Sequence, residues 1–184
     1  SGIIKYTQIL FAGFAVRPNE ELNGLTLNAV GSGTLIDYVH VHAGLDDGVE
    51  MFGGTVQMKH LVLTDINDDS LDWGLGWQGR AQFVLIQQAS DDGDRGIEAD
   101  NNESGDLQPR SKPILSNLTL IGAPVATQGA LLRRGTGANI WNTVITGFPT
   151  CLQIDGAPTF VNAGAPGNLS GELTIQNSFV NCAT

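Results

Sequence analysis

Charge is scarce in this chain: 15% of its 184 residues are Asp, Glu, Lys or Arg, against 41% hydrophobic residues. That balance excludes a disordered tail and a coiled coil, both of which need far more charge. Basic residues are scarcer still, nine against nineteen acidic ones, and the net charge of −10 sets the chain against nucleic acid and anionic membrane surfaces as partners. No apolar run approaches the ~20 residues that span a bilayer. No helical period holds over a useful length. A phosphate-binding Gly loop, a Gly-x-Ser-x-Gly elbow and a Cys/His nucleophile pair are all missing. The three histidines, His40, His42 and His60, lack the spacing of a metal site and read as surface residues. Cysteine is down to two, Cys151 and Cys182, an even count that points to an oxidising compartment.

What the chain does have is a repeat. LDDGVEMFGG, NDDSLDWGLG and SDDGDRGIEADN follow one another, so that Asp46-Asp47 recurs as Asp68-Asp69 after 22 residues and as Asp91-Asp92 after 23. A fixed period of this size is the mark of a stacked solenoid. The charge is concentrated there: residues 46–106 hold fourteen acids against three bases, a local balance of −11. Such a field attracts cations and neutral polar ligands.

Two families of β-branched, apolar-rich segments alternate along the chain, the pattern of strands. The longer are residues 2–13, 34–44, 55–65, 80–90, 113–123, 138–148 and 172–182; the shorter are 24–27, 48–51, 70–73, 96–99, 130–132 and 152–154. Together they predict an all-β, right-handed parallel β-helix of six to seven coils of roughly 22 residues. A β-sandwich is the competing architecture, but it leaves the recurrence of the Asp pairs unexplained. The central residues of the short strands, Thr26, Glu50, Asp72, Glu98, Leu131 and Gln153, step by 24, 22, 26, 33 and 22. The long step contains the polar loop 101–112, and a second insertion, 155–172, precedes the last long segment; insertions in solenoids fall at turns, often on the binding face.

Asn117, Asn142 and Asn177 stand at one offset before apolar segments, so stacked Asn side chains are expected at a turn. Cys151 and Cys182 lie about one coil apart once the insertion is discounted, and a disulfide stapling the last coil is expected. The sequence opens at Ser1 on strand-like residues without Met or a signal segment, which reads as a processed or excised part of a longer chain, folded as one β-helix domain over 1–184.

Alternation along the short strands points Val49, Met51, Leu71, Trp73, Ile97 and Ala99 inward and Glu50, Asp72 and Glu98 outward. The three acids then form a ladder with ~4.8 Å between neighbours. Like charges across adjacent strands repel, so a bound cation, a raised pKa or exposure to water must offset them. The flanking turn adds Asp46, Asp47, Asp68, Asp69, Asp91, Asp92 and Asp94. Ca²⁺, which takes six to eight oxygens, is the candidate cofactor, with Asp46, Asp68 and Asp72 as candidate ligands. Turn aspartates capping their own backbone are the plainer reading. Trp73 belongs to the core by alternation, whereas Phe52 and Trp77 are expected outside, beside the ladder, with Glu50, Asp72, Glu98 and Arg133 as a glycan-binding set.

The stretches from SGTLIDYVHVHAGLDDGVEMFGGT through DWGLGWQG, and GALLRRGTGANIWNTVITGFPTCLQID, resemble secreted bacterial β-helix proteins, often lipoproteins, whose repeats carry DDG-(hydrophobic)-E-(aromatic)-FGGT motifs. That resemblance covers nearly the whole chain and implies a secreted or cell-surface location. More distantly, the chain resembles the polygalacturonase-type glycoside hydrolases, also β-helices. Asp47-Gly48 and Asp68-Asp69 match their first two acidic motifs, and Arg133-Arg134 echoes the basic one. The third coil has Ser90-Asp91-Asp92-Gly93 where the family places a His motif. This second resemblance implies Asp47, Asp68 and Asp69 as catalytic acids.

The leading expectation is therefore an extracellular or cell-surface β-helix presenting an acidic face to glycan or divalent cation. A polysaccharide hydrolase or lyase is the alternative. A third expectation is assembly with other copies: neither end of the sequence shows a capping helix, and uncapped coils stack into filaments.

Overall fold

The computed structural model describes residues 1–17, 21–104, 106–165 and 167–183. Seven long strand segments alternate with six short strands, as the two sequence families require. The long ones are β1 (Ile3–Leu10), β3 (Leu35–His42), β5 (Gln57–Thr64), β7 (Arg80–Gln87), β9 (Ile114–Ile121), β11 (Ala138–Thr146) and a last one divided into β13 (Leu173–Gln176) and β14 (Phe179–Asn181). The short ones are β2 (Leu25–Asn28), β4 (Val49–Phe52), β6 (Leu71–Gly74), β8 (Ile97–Ala99), β10 (Gln128–Leu132) and β12 (Thr150–Ile154). Every strand pairs in parallel with the strand one coil away, giving the sheet orders β1-β3-β5-β7-β9-β11-β13 and β2-β4-β6-β8-β10-β12. This is a parallel β-helix. The short-strand register runs Thr26, Glu50, Asp72, Glu98, Leu131, Gln153, so the uneven steps of the sequence are true coil lengths.

Each long strand carries a bend that simple alternation does not contain. Tyr6, Tyr38, His60, Phe83, Asn117, Asn142 and Asn177 all have φ between 50° and 59°, the left-handed region. In β3, Ile36, Val39 and Val41 are buried while Asp37 and Tyr38 both face outward. The bend thus spends one residue of the alternation and turns the long ladder into two walls; the short sheet supplies the third. A left-handed backbone costs a non-glycine residue about 1–2 kcal/mol. Two devices offset it along this column. Asn tolerates the conformation, and the amide of Asn142 faces the oxygen of Asn117 at 3.5 Å. The other four side chains are rings stacked at 5.0, 4.2 and 5.1 Å between centroids, and such pairs contribute about 0.5–1.5 kcal/mol each.

Inward residues stack like on like: Ile36, Met58, Ala81 and Leu115 on one wall, Val49, Leu71 and Ile97 on another, all essentially fully buried. Trp73 is in the core as alternation demands, its indole N–H donating to Thr136 Oγ1 at 3.0 Å. Trp77 is equally buried, with its N–H directed at the Val56 carbonyl and its ring 5.8 Å from that of Trp73. The placement of Trp77 outside, among ligand-binding residues, is therefore corrected. Trp77 lies in the turn after β6, where alternation does not apply, and Gly79 makes room for it: a Cβ there would stand 2.3 Å from the indole nitrogen.

The 155–172 insertion is not wholly a loop. It contains α1 (Ala157–Ala163), which buries Thr159 and Ala163 and accepts the Gly135 N–H on Thr159 Oγ1 at 2.8 Å. Seven residues are too few to register as a helical period. The expected disulfide between Cys151 and Cys182 is present.

Candidate functional site

The acidic turn stacks in three columns. Gly24 N donates to Asp47 O, Gly48 N to Asp69 O and Ser70 N to Arg95 O, which aligns Asn23, Asp47, Asp69 and Arg95. One residue earlier, Asp46, Asp68 and Asp94 align, with Asp94 N donating to Asp68 O. Two residues into each short strand stand Glu50, Asp72 and Glu98 in direct register. The third member of the Asp-pair repeat is therefore Asp94-Arg95. Asp91-Asp92, which the sequence puts there, is displaced into a longer turn, where Asp92 caps Gly93 N and accepts from Asn67.

The middle column is buried. Asp47 and Asp69 are 6% and 3% exposed. Asp47 Oδ1 accepts the Asp69 N–H at 3.1 Å, and Asp69 Oδ1 accepts the Arg95 N–H at 3.0 Å. Burial pushes the Asp69 carboxyl up to about 8, with Glu98 adding to the rise and Arg95 opposing it. Asp47 is raised by burial first and then by Asp72 and Asp69; Asp72 is raised by burial and then by Glu50 and Glu98. Glu50 and Glu98 are raised for the same leading reason.

Counter-charge is distributed unevenly along the ladder. At the Glu98 end, the Arg95 guanidinium lies 2.5 Å from Asp94, 3.0 Å from Glu98 and 3.4 Å from Asp69. Arg133 bridges Glu98 and Asp100, and Arg134 reaches Asp100 at 2.7 Å. At the other end, Glu50 accepts from the Asn23 amide, and among the described residues no Lys or Arg is ion-paired with Asp47, Glu50 or Asp72. One oxygen from each of these three acids fits within 4.8 Å of the others, as do the sets Asp46-Asp47-Asp68, Asp68-Asp69-Asp94 and Asp69-Asp72-Glu98. The sequence-predicted ligands Asp46, Asp68 and Asp72 are thus not one triad. Asp46 and Asp68 belong to the set on one side of the buried column, and Asp72 belongs to those on the other.

The ladder borders a groove of about 460 Å³ lined by Glu50, Phe52, Asp72, Glu98, Asp100 and Arg134. Phe52 is half-buried on its wall beside Gly74, whose missing side chain leaves the floor open: a Cβ there would find its nearest atom at 3.9 Å. The far rim is the polar insertion after β8. Asn101 ties it down by donating to Leu107 O and accepting from Ser111 N, and Ser111 Oγ accepts from Gly76 N. Asn102, in the same rim, is nine-tenths buried, and its carboxamide oxygen, closed off from solvent, has no hydrogen-bond partner among the described residues.

Glu50, Phe52, Asp72, Glu98 and Arg133 therefore do converge, though Arg133 serves as counter-ion to Glu98 and Asp100. Asp47 and Asp69 sit behind the ladder as backbone acceptors, and Asp68 faces a separate hollow beside Phe14 and Leu45. Arg95, Asp100, Arg134 and Asn102 were not among the expected site residues. Counting back two from each short strand, instead of matching Asp pairs, aligns Arg95 with Asp47 and Asp69.

A family model described as a pectate-lyase like beta helix domain matches residues 1–183. No curated protein and no solved structure matches the chain.

Proposed function

Because the chain belongs to the pectate-lyase-like β-helix family, we propose that it is an extracellular β-helix whose acidic groove binds a divalent cation, calcium, and a polar glycan. The family fits a polysaccharide-related or structural role. The observation that carries the finer reading is the set Asp47, Glu50 and Asp72: three carboxylates that each bring one oxygen within 4.8 Å of the others, with no Lys or Arg ion-paired to them among the described residues. Oxygen-only, carboxylate-rich sets of this kind suit a hard cation. Phe52 and the open floor at Gly74 offer a sugar an apolar contact next to it. The disulfide agrees with an oxidising, extracellular setting.

Hydrolysis through Asp47, Asp68 and Asp69 has less support. Asp47 and Asp69 are buried and bonded to backbone.

Thermal unfolding with calcium and with chelator tests the reading. Calcium at a hundredfold excess over its dissociation constant stabilises by about 2.7 kcal/mol, which is a rise of roughly 5–10 °C for a domain of this size. Asp72→Asn abolishes the rise. An unchanged melting temperature together with no binding on a glycan array refutes the proposal.

A further inference from the structure

Spacing along the chain gives His40 and His42 no metal site, but the stacking of coils adds what chain order leaves out. Both histidines alternate onto the outer surface of β3, and the next coil sets Thr64 opposite His42, with Asp65 following it. His40 Nε2 lies 3.0 Å and His42 Nδ1 2.9 Å from the single hydroxyl of Thr64. Asp65 Oδ2 stands 3.6 Å from the same His42 nitrogen. A hydroxyl has one proton and can donate it to only one of two imidazole nitrogens directed at it. The coil on the other side supplies a further group: the Gln8 carboxamide faces the far nitrogen of His40, Nδ1, at 3.4 Å. A metal-bound imidazole takes just such a partner on its outer nitrogen, which fixes the tautomer and the ring plane. Three successive coils therefore contribute to one spot on the surface.

We propose that His40, His42 and Asp65 bind a transition-metal dication, copper(II) most tightly and zinc in second place. Imidazole nitrogen selects these ions over calcium and magnesium, which take oxygen ligands. His40 Nε2 and His42 Nδ1 are the nitrogen ligands, Asp65 Oδ2 is the oxygen ligand, and water completes the shell. As they stand, the three donor atoms are not all within 4.8 Å of one another, because Thr64 Oγ1 holds the middle. The side chains of His42 and Asp65 are 34% and 46% exposed and His40 is half-buried, so rotamer changes can draw them in to metal-bond distance. With the metal on Nε2, His40 carries its proton on Nδ1 and donates it to the oxygen of Gln8. His60 stays apart: its Nδ1 is taken by Asp37 at 2.8 Å and its ring is stacked between Tyr38 and Phe83. The acidic groove lies on the short-strand sheet and this site on the long one, so the two are independent.

The test is titration of the full chain with copper(II) alone in neutral, non-chelating buffer, followed by calorimetry and by electron paramagnetic resonance. A copper ion is expected to bind with hyperfine splitting from two imidazole nitrogens, and excess calcium is expected not to displace it. His42→Ala and His40→Gln each remove the two-nitrogen spectrum, and their circular dichroism checks that the coils are intact. Gln8→Ala, which takes away only the outer partner of His40, weakens binding by about tenfold. His60→Asn, with a residue that tolerates the left-handed backbone at that position, leaves binding unchanged. Asp72→Asn, in the groove, leaves it unchanged as well. If copper binds folded His42→Ala and His40→Gln as tightly as the natural chain, or binds without nitrogen splitting, the proposal is overturned. If Asp72→Asn alone abolishes binding, the ion belongs to the acidic groove and the proposal is overturned too. The calcium-dependent melting of the groove is read separately and decides nothing about this site.

Discussion

Asp47 accepts the backbone N–H of Asp69 from the next coil, while the two carboxylates stand in one buried column and repel each other. The acceptor oxygen is structurally useful and the charge is costly. An Asn side chain keeps the oxygen and drops the charge. Asp47→Asn is therefore expected to be more stable than the natural chain in chelator-containing buffer. Asp47→Ala leaves a buried N–H unpaired and is expected to fall about 1–3 kcal/mol below Asp47→Asn. Urea unfolding of the three proteins measures this, and a destabilised Asn variant would show that the charge is not under strain.

The same burial fixes the sign of the pH dependence. Asp69 has a folded pKa of about 8, and Asp47 and Asp72 are raised with it, all above the ~3.9 of an unfolded Asp. As pH rises, the unfolded chain releases these protons first. Their contribution to stability is full below about pH 4 and falls as pH rises, by at most about 1.4 kcal/mol per pH unit for each group, until about pH 8 for Asp69 and beyond that for Asp72 and Asp47. The metal-free protein should melt lower at about pH 8 than at about pH 5.5. Saturating calcium, which favours the ionised carboxylates, should flatten or reverse the slope. A metal-free protein that melts higher at the alkaline end contradicts this.

The ladder was legible in the sequence because period-2 alternation is strict in short strands: Glu50, Asp72 and Glu98 stand where spacing puts them. Repetition of a dipeptide was a poorer guide. Asp91-Asp92 mimics the pair, but hydrogen bonding gives the position to Asp94-Arg95, and this substitution of a cation for an acid decides which end of the ladder is left uncompensated. Trp77 misled because it sits in a turn, where side-chain direction follows local φ and packing. The bend column was half visible, as Asn117, Asn142 and Asn177. Its other members, Tyr6, Tyr38, His60 and Phe83, share a backbone conformation and no side-chain chemistry beyond a ring.

That column makes its own prediction. Asn142 has φ 50° and an exposed side chain. A β-branched residue there meets the left-handed penalty without Asn's tolerance, so Asn142→Val is expected to lose about 1–2 kcal/mol. Asn142→Gly should stay within about 0.5 kcal/mol, because glycine meets no such penalty. Denaturant unfolding compares them. Equal losses in both variants would mean that the side-chain amide, facing Asn117, matters more than the backbone conformation.

Cys151 in β12 and Cys182 just beyond β14 close a loop spanning 31 residues of sequence, which in the chain-entropy picture stabilises by about 3–4 kcal/mol. In a solenoid that energy acts locally, since each coil touches only its neighbours. The bond encloses α1, β13 and β14, whereas the groove is built on β4, β6 and β8, the nearest of which lies two coils from β12. Mild reduction, or the paired change of both cysteines to serine, should raise amide exchange in α1, β13 and β14 while leaving β5 to β8 protected. The calcium-dependent rise in melting temperature of the groove-bearing coils should persist. Exchange that quickens through every coil at once would instead mean that the β-helix unfolds as a single unit and that the staple supports the groove directly.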